Sequence, residues 1–155
     1  MDKFLRFLFP VKPDETGFSA YLLIMRIVFG LLLMSHGFQK LTSFSDLVSS
    51  FPDPLGVGAS LSLSLAIFGE LFCSIGFIFG AFYRLAMIPM IVTMWVAFFS
   101  IHGDDPFAAK ELAFSYLMVF ILMYVAGPGK YSLDHLVAVR LYQKRNKEKE
   151  GASFL

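Results

Sequence analysis

The stretch Ala20–Leu41, "AYLLIMRIVFGLLLMSHGFQKL", decides what kind of protein this is. It runs long enough for a helix to cross about 30 Å of hydrocarbon, which takes about 20 residues. Yet it carries Arg26, His36 and Lys40 inside or at the edge of its apolar run. At 100° per residue, Arg26, Gly30, Leu33, Gly37 and Lys40 fall on one face, with His36 beside it. Two cations and two glycines on one face are not a surface meant for lipid, so that stripe is expected to look inward.

Three further segments have the same character: 59–81, 85–101 and 107–126. Transmembrane strands would instead show alternating segments of about 10 residues, and the chain has none. The composition agrees. The 155 residues are 57% hydrophobic and only 16% charged, and they include nineteen Phe and eight Met. Soluble domains sit nearer 45–50% apolar and about 25% charged. The mean hydropathy is +0.68. The expected fold is all-α, an integral membrane four-helix bundle. No A-x-A-like cleavage site follows the first run, so it reads as a span and not a removed signal peptide.

The organisation follows from these spans. Residues 1–19 form an N-terminal tail, 20–136 one transmembrane domain, and 137–155 a charged C-terminal tail. Lys3, Arg6, Lys12, Arg84 and the basic C-terminal tail lie on one side, whereas the first and third connections carry Asp46, Asp53, Asp104 and Asp105. Basic flanks stay inside, so both termini are expected in the cytoplasm of a bacterial inner membrane. Leu41, Phe44, Leu47, Val48 and Phe51 recur at helical spacing, which predicts a short interfacial amphipathic helix in the first outer loop.

Ionisable groups inside spans are expensive and mark functional candidates. Arg26 and a near-midplane Glu70 could meet through the long arginine side chain, and Glu70 is expected to pair with Arg26 or His36 or to stay neutral. His36, Gln39, Lys40, His102, Lys110 and Glu111 share one depth near the acidic loops, which suggests a polar pocket. In span two, Ala66, Gly69, Cys73, Gly76 and Gly80 form a small-residue stripe suited to close helix packing. Met87, Met90 and Met94 read as packing, and Trp95, Phe98 and Phe99 either line an apolar slot or face lipid. Cys73 is the lone cysteine, so a disulfide or CxxC pair within the chain is excluded. Haem on His36 and His102 is disfavoured by depth, and a metal by the absence of ligand spacing. Nucleic acid is not an expected partner. No P-loop, GxGxxG, HExxH or GxSxG motif is present, and the lack of an inverted repeat argues against a self-sufficient transporter.

"MRIVFGLLLMSHGFQKL" (25–41), "FGELFCSIGFIFGAFYRLA" (68–86) and "AKELAFSYLMVFILMYVAGPGKYSLD" (109–134) together resemble the DoxX family of small bacterial four-span membrane proteins. The resemblance implies a four-helix membrane bundle. It also implies association with membrane redox systems, such as a quinone-linked thiosulfate-oxidising complex or one with superoxide-detoxifying and thiol-handling partners. It points to Arg26, Gly37, Lys40, Glu70, Arg84 and Glu111 as positions of interest. The absence of a cysteine pair sets this chain apart from any thiol relay. The leading expectation is a membrane subunit of a quinone-linked redox or oxidative-stress complex. A quinone would be held by His36 and Lys40, with Glu70 exchanging protons, Arg26 tuning it and Glu111 lining the same pocket. Two rival expectations are a non-catalytic assembly or anchoring subunit and a small-molecule or proton conduit. Whether a second copy of the chain completes the site is left open.

Overall fold

A computed structural model describes residues 15–152, with side chains through Lys144, and among these every regular element is helical. The N-terminal basic residues Lys3, Arg6 and Lys12 lie outside the described residues. Six helices follow in order: α1 (Glu15–Thr42), α2 (Phe44–Leu47), α3 (Ala59–Phe79), α4 (Tyr83–Ile101), α5 (Phe107–Ala126) and α6 (Leu133–Ala152). Helices α1, α3, α4 and α5 are each long and apolar enough to cross a membrane. Span α5 has the bounds expected from sequence. Helix α1 begins earlier than expected, with Glu15 in its first turn, where an acidic side chain favours the helix dipole. The expected amphipathic helix shrinks to the single turn α2. Phe44, Leu47, Val48 and Phe51 are half-buried, so this segment leans on the bundle. Helix α6 takes up much of what the sequence shows as a charged C-terminal tail.

Association of spans in lipid rests on close packing and polar contacts, because lipid is as apolar as the helix surfaces. The buried stripe of α1 is Ser19, Leu22, Arg26, Gly30, Leu33 and Gly37, which matches the inward face read from sequence through Gly37. Met87, Met90 and Met94 line the core side of α4, and Phe77 stacks on Tyr83 and packs edge-on against Phe120. Outward residues such as Leu122 and Val125 are exposed, and Trp95 and Phe99 pair on the outer face. The small-residue stripe of α3 needs one correction. Gly80 does not pack in a helix seam but ends α3 in the left-handed region (φ 64), where a turn into α4 requires it.

Two wide turns interrupt the regular helices and were not visible in the sequence. In α3 the segment Phe68–Phe72 forms a π turn with Glu70 at its centre, and Ala97–Ile101 ends α4 in another. Such turns recur at functional sites. Two glycines let neighbours close on the first of them. A Cβ on Gly37 of α1 would stand 2.6 Å from the Leu71 backbone nitrogen, and one on Gly69 would meet Thr93 and the Pro89 carbonyl of α4.

Candidate functional site

Helix side chains lean toward the N-terminus of their own helix, and that lean sorts the two cations of α1. Lys40 reaches back into the bundle, where its Nζ lies 2.6 Å from Glu70 Oε2. Arg26 leans the same way, toward the end where α1 starts, and so away from Glu70. The expected Arg26–Glu70 pair is therefore not formed, because the two cations sit about 21 Å apart along α1 and lean to the same side. Glu70 is nearly fully buried, and its backbone carbonyl accepts the Ser74 hydroxyl at 2.7 Å.

The Lys40–Glu70 pair stands in the wall between two cavities. One is a part-open chamber of about 200 Å³ between α1, α3, α4 and α5, with His36, Lys40, Glu70, His102 and Tyr116 as its polar lining. The other is a groove of about 560 Å³ between α3 and α4 beneath the first acidic loop. Its walls are mainly apolar, with Phe51, Leu55, Phe68, Val92 and Ile101 among them, and Lys40, Glu70 and His102 form its polar end. Leu65, Phe68 and Val92 are also exposed on the outer face of the bundle, so the groove opens toward lipid.

His36 is half-buried behind the ion pair, with its ring edge-on to Tyr116 at 6.2 Å. It lines the chamber and not the groove. His102 borders both cavities, and its Nδ1 is 2.7 Å from Asp105 Oδ2. Three residues of the expected pocket stand elsewhere. Glu111 is exposed and lines neither cavity, because α5 turns Ala113 and Tyr116 inward, and Glu111 lies about 150° from that face. Lys110 donates to the Gly103 carbonyl at 2.6 Å and lies over the Phe98 ring. Gln39 is exposed. Tyr116 is the site residue that sequence reasoning missed. Its signal was a tyrosine two turns inside an apolar span, where a hydroxyl needs a polar partner. Among the described residues no three His, Cys, Asp or Glu side chains are grouped to hold a metal ion.

The opposite end of the bundle is built differently. Arg26 is fully buried, donates from Nη2 to the Tyr131 carbonyl, and packs against Gly80 and Ser132. The Asp134 carboxylate accepts the backbone N–H groups of Phe82 and Tyr83 at 2.9 and 2.8 Å, which caps the start of α4. Ser132 accepts the His135 N–H and donates to the Gly129 carbonyl, so the "GPGKYSLD" segment folds over the α3–α4 turn. Lys130 reaches Glu15 at 3.2 Å, which sets the start of α1 beside the end of α5. Arg84 is exposed and lies over the Tyr124 ring.

The DoxX family model matches residues 21–103, which takes in most of α1 and all of α3 and α4 with their π turns. A protein of Haemophilus influenzae described as uncharacterised is 26% identical over 134 residues, covering 81% of this chain and 89% of that protein. No solved structure matches the chain.

Proposed function

This chain belongs to the DoxX family, and we propose that it is a membrane subunit of a quinone-linked redox or oxidative-stress complex. In this reading both termini face the cytoplasm of a bacterial inner membrane, and the α3–α4 groove holds a quinone or similar lipid-soluble molecule. The family is associated with membrane-linked redox and stress functions. The observation that carries the reading is the Lys40–Glu70 pair closing one end of an otherwise apolar groove that opens to lipid. Small-molecule sites occupy about 300–1,000 Å³ and pair apolar walls with a few placed polar groups. A ring would lie between Phe51, Phe68 and Val92, and its chain would leave past Leu65 into the bilayer.

A bound quinone supplies two-electron, two-proton exchange between carbonyl and hydroxyl forms, with electrons supplied by a partner protein. Lys40 orients a ring oxygen through its ammonium, His102 offers a second polar contact, and Glu70 accepts or returns a proton. Arg26 and Glu111 take no part in the groove on this reading, because neither lines it.

Mass spectrometry of lipids extracted from the purified protein tests the reading. We expect co-purified quinone, and we expect it to fall several-fold in the charge-balanced double variant Lys40→Gln/Glu70→Gln and in the groove-filling Val92→Trp. Unchanged quinone in both variants removes the groove from consideration. The buried Arg26 arrangement favours a second reading, an assembly subunit whose "GPGKYSLD" segment recruits partners. Under that reading the double variant leaves partner activity intact, whereas disruption around Arg26 abolishes assembly.

A further inference from the structure

The chamber behind the ion pair has a different chemistry from the groove in front of it. Polar side chains from four elements converge on about 200 Å³: His36 and Lys40 from α1, Glu70 from α3, His102 at the end of α4 and Tyr116 from α5. Polar cavities take up water, whereas apolar ones stay dry, and this volume accommodates roughly half a dozen waters at about 30 Å³ each. No described side chain hydrogen-bonds the His36 ring or the Tyr116 hydroxyl, whose recorded contacts are ring against ring. Neither group is sealed from solvent, since the enclosed side-chain atoms without a partner among the described residues are Nε and Nη1 of Arg26, so water in the chamber reaches both. At the chamber's edge the chain of polar groups continues outward. The side chains of His102 and its partner Asp105 are 41% and 49% exposed, so this pair joins the chamber wall to solvent at the acidic-loop end.

We propose that the chamber is a water-filled proton passage linking Glu70 to the aqueous phase at the acidic-loop end, with His102–Asp105 as its port. This inference rests on the reading of Lys40–Glu70 as the polar end of the groove, but it concerns the other side of that pair. A proton arriving on Glu70 from the groove neutralises the carboxylate and frees Lys40 from its partner. The proton then leaves Glu70 for chamber water, which restores the ion pair. The water protonates the free ring nitrogen of His102, and the Nδ1 proton passes to Asp105 and on to bulk solvent. Each transfer breaks one O–H or N–H bond and forms another. His102 is left as its Nε2–H tautomer, and exchange with bulk water at its 41% exposed side chain returns the Nδ1–H form, so one proton has moved. The charged and titratable groups facing Glu70 are Lys40 and His36 from α1, His102 from the end of α4 and Tyr116 from α5. Lys110 is turned away to Gly103.

Two measurements on the full chain in lipid nanodiscs, neither requiring quinone, test the passage. In a Cys73→Ser background, Ala113→Cys lines the chamber and Leu122→Cys faces lipid. A cationic, membrane-impermeant methanethiosulfonate should modify the first at least about tenfold faster, because a thiolate forms only in contact with water. Equally slow modification of both overturns the water-filled chamber. Infrared spectra after a pH jump follow the Glu70 carboxyl band, identified by its loss in Glu70→Gln. His102→Gln and Asp105→Asn should each slow its relaxation roughly tenfold or more while leaving the end states unchanged, as expected for loss of a placed proton carrier. Asp105→Asn carries the test if His102→Gln does not fold. Relaxation at the wild-type rate overturns the port. Quinone loss in the groove variants with unchanged relaxation here sinks the passage alone. Normal slowing here with quinone unaffected in the groove variants sinks the quinone reading alone.

Discussion

Arg26 and Lys40 occupy one stripe of α1, and the two ends of the bundle they serve are opposites. At the Arg26 end the cation is sealed, bonded through one nitrogen to a backbone carbonyl and packed beside Gly80, and it does not reach the open pocket of about 550 Å³ that Glu15, Lys130, Asp134 and His135 line at that end. At the Lys40 end the cation meets a carboxylate in a wall with a cavity on each side, and itself lines both. One arrangement spends its polar groups on holding chain segments together. The other keeps ionisable groups beside room for a ligand. A charge inside a span is therefore a functional candidate only when a cavity adjoins it.

The largest effect that sharpens this contrast is removal of Lys40 alone. Lys40→Met strands Glu70 as a buried charge, and breaking such a pair typically costs about 3–5 kcal/mol. Equilibrium unfolding in detergent should show most of that loss recovered in Lys40→Met/Glu70→Gln, which removes the orphaned charge. Arg26→Met should cost less, about 1–3 kcal/mol for a carbonyl left without its donor, and Glu70→Gln should not rescue it. Rescue of Arg26→Met by Glu70→Gln would break the comparison, since it would mean that the two ends share one charge network.

Gly80→Ala comes next. It places a Cβ against Arg26 and Ser132 at a left-handed backbone position, and crowding of this kind costs about 1–3 kcal/mol. Asp134→Ala removes the acceptor for two N–H groups at the start of α4, with a loss of about 1–2 kcal/mol expected for a cap. Both should lower the unfolding midpoint yet leave quinone retention at wild-type levels. Retention that falls with either variant would show the ends to be coupled.

The spans and the inward stripe of α1 were legible because length, hydropathy and helical periodicity are local properties. Glu70, Lys40 and His36 could be picked out for the same reason, since each is a polar group in an apolar run. Their pairing could not. Depth counted along Cα atoms places Arg26 within reach of Glu70, but side-chain lean carries Lys40 toward Glu70 and Arg26 away from it. Glu111 failed for a related reason. It shares a depth with the chamber, but a rotation of about 150° on α5 turns it out. The π turn around Glu70 depends on Gly37 and Gly69 admitting two neighbouring helices, a tertiary fact with no local signature. The "GPGKYSLD" motif could be recognised as a pattern, whereas its work as a cap on α4 needed the fold.

The smallest expected effect belongs to the loop that roofs the groove. Asp53 accepts the Ser62 hydroxyl at 2.7 Å and the backbone N–H groups of Gly58 and Val57 at 2.7 and 3.0 Å, closing the segment that carries Pro52, Pro54 and Leu55 over the cavity. The Ser62 hydrogen bond, followed by the Gly58 N–H, holds the Asp53 carboxyl below its ordinary value. A group whose folded value is depressed stabilises the fold fully above its unfolded value, near 3.9, and that contribution is lost as pH falls through the lower folded value. Amide-exchange protection at Val57 and Gly58 should therefore hold steady above about pH 5 and decline below about pH 4. Asp53→Asn should remove that dependence. If the loop is the roof of an occupied groove, quinone retention should decline in the same acid window in the wild type and lose that window in Asp53→Asn. Retention that ignores the loop would place the ligand's hold entirely on the helices, and the contrast between a sealed end and an open one would then rest on Lys40 and Glu70 alone.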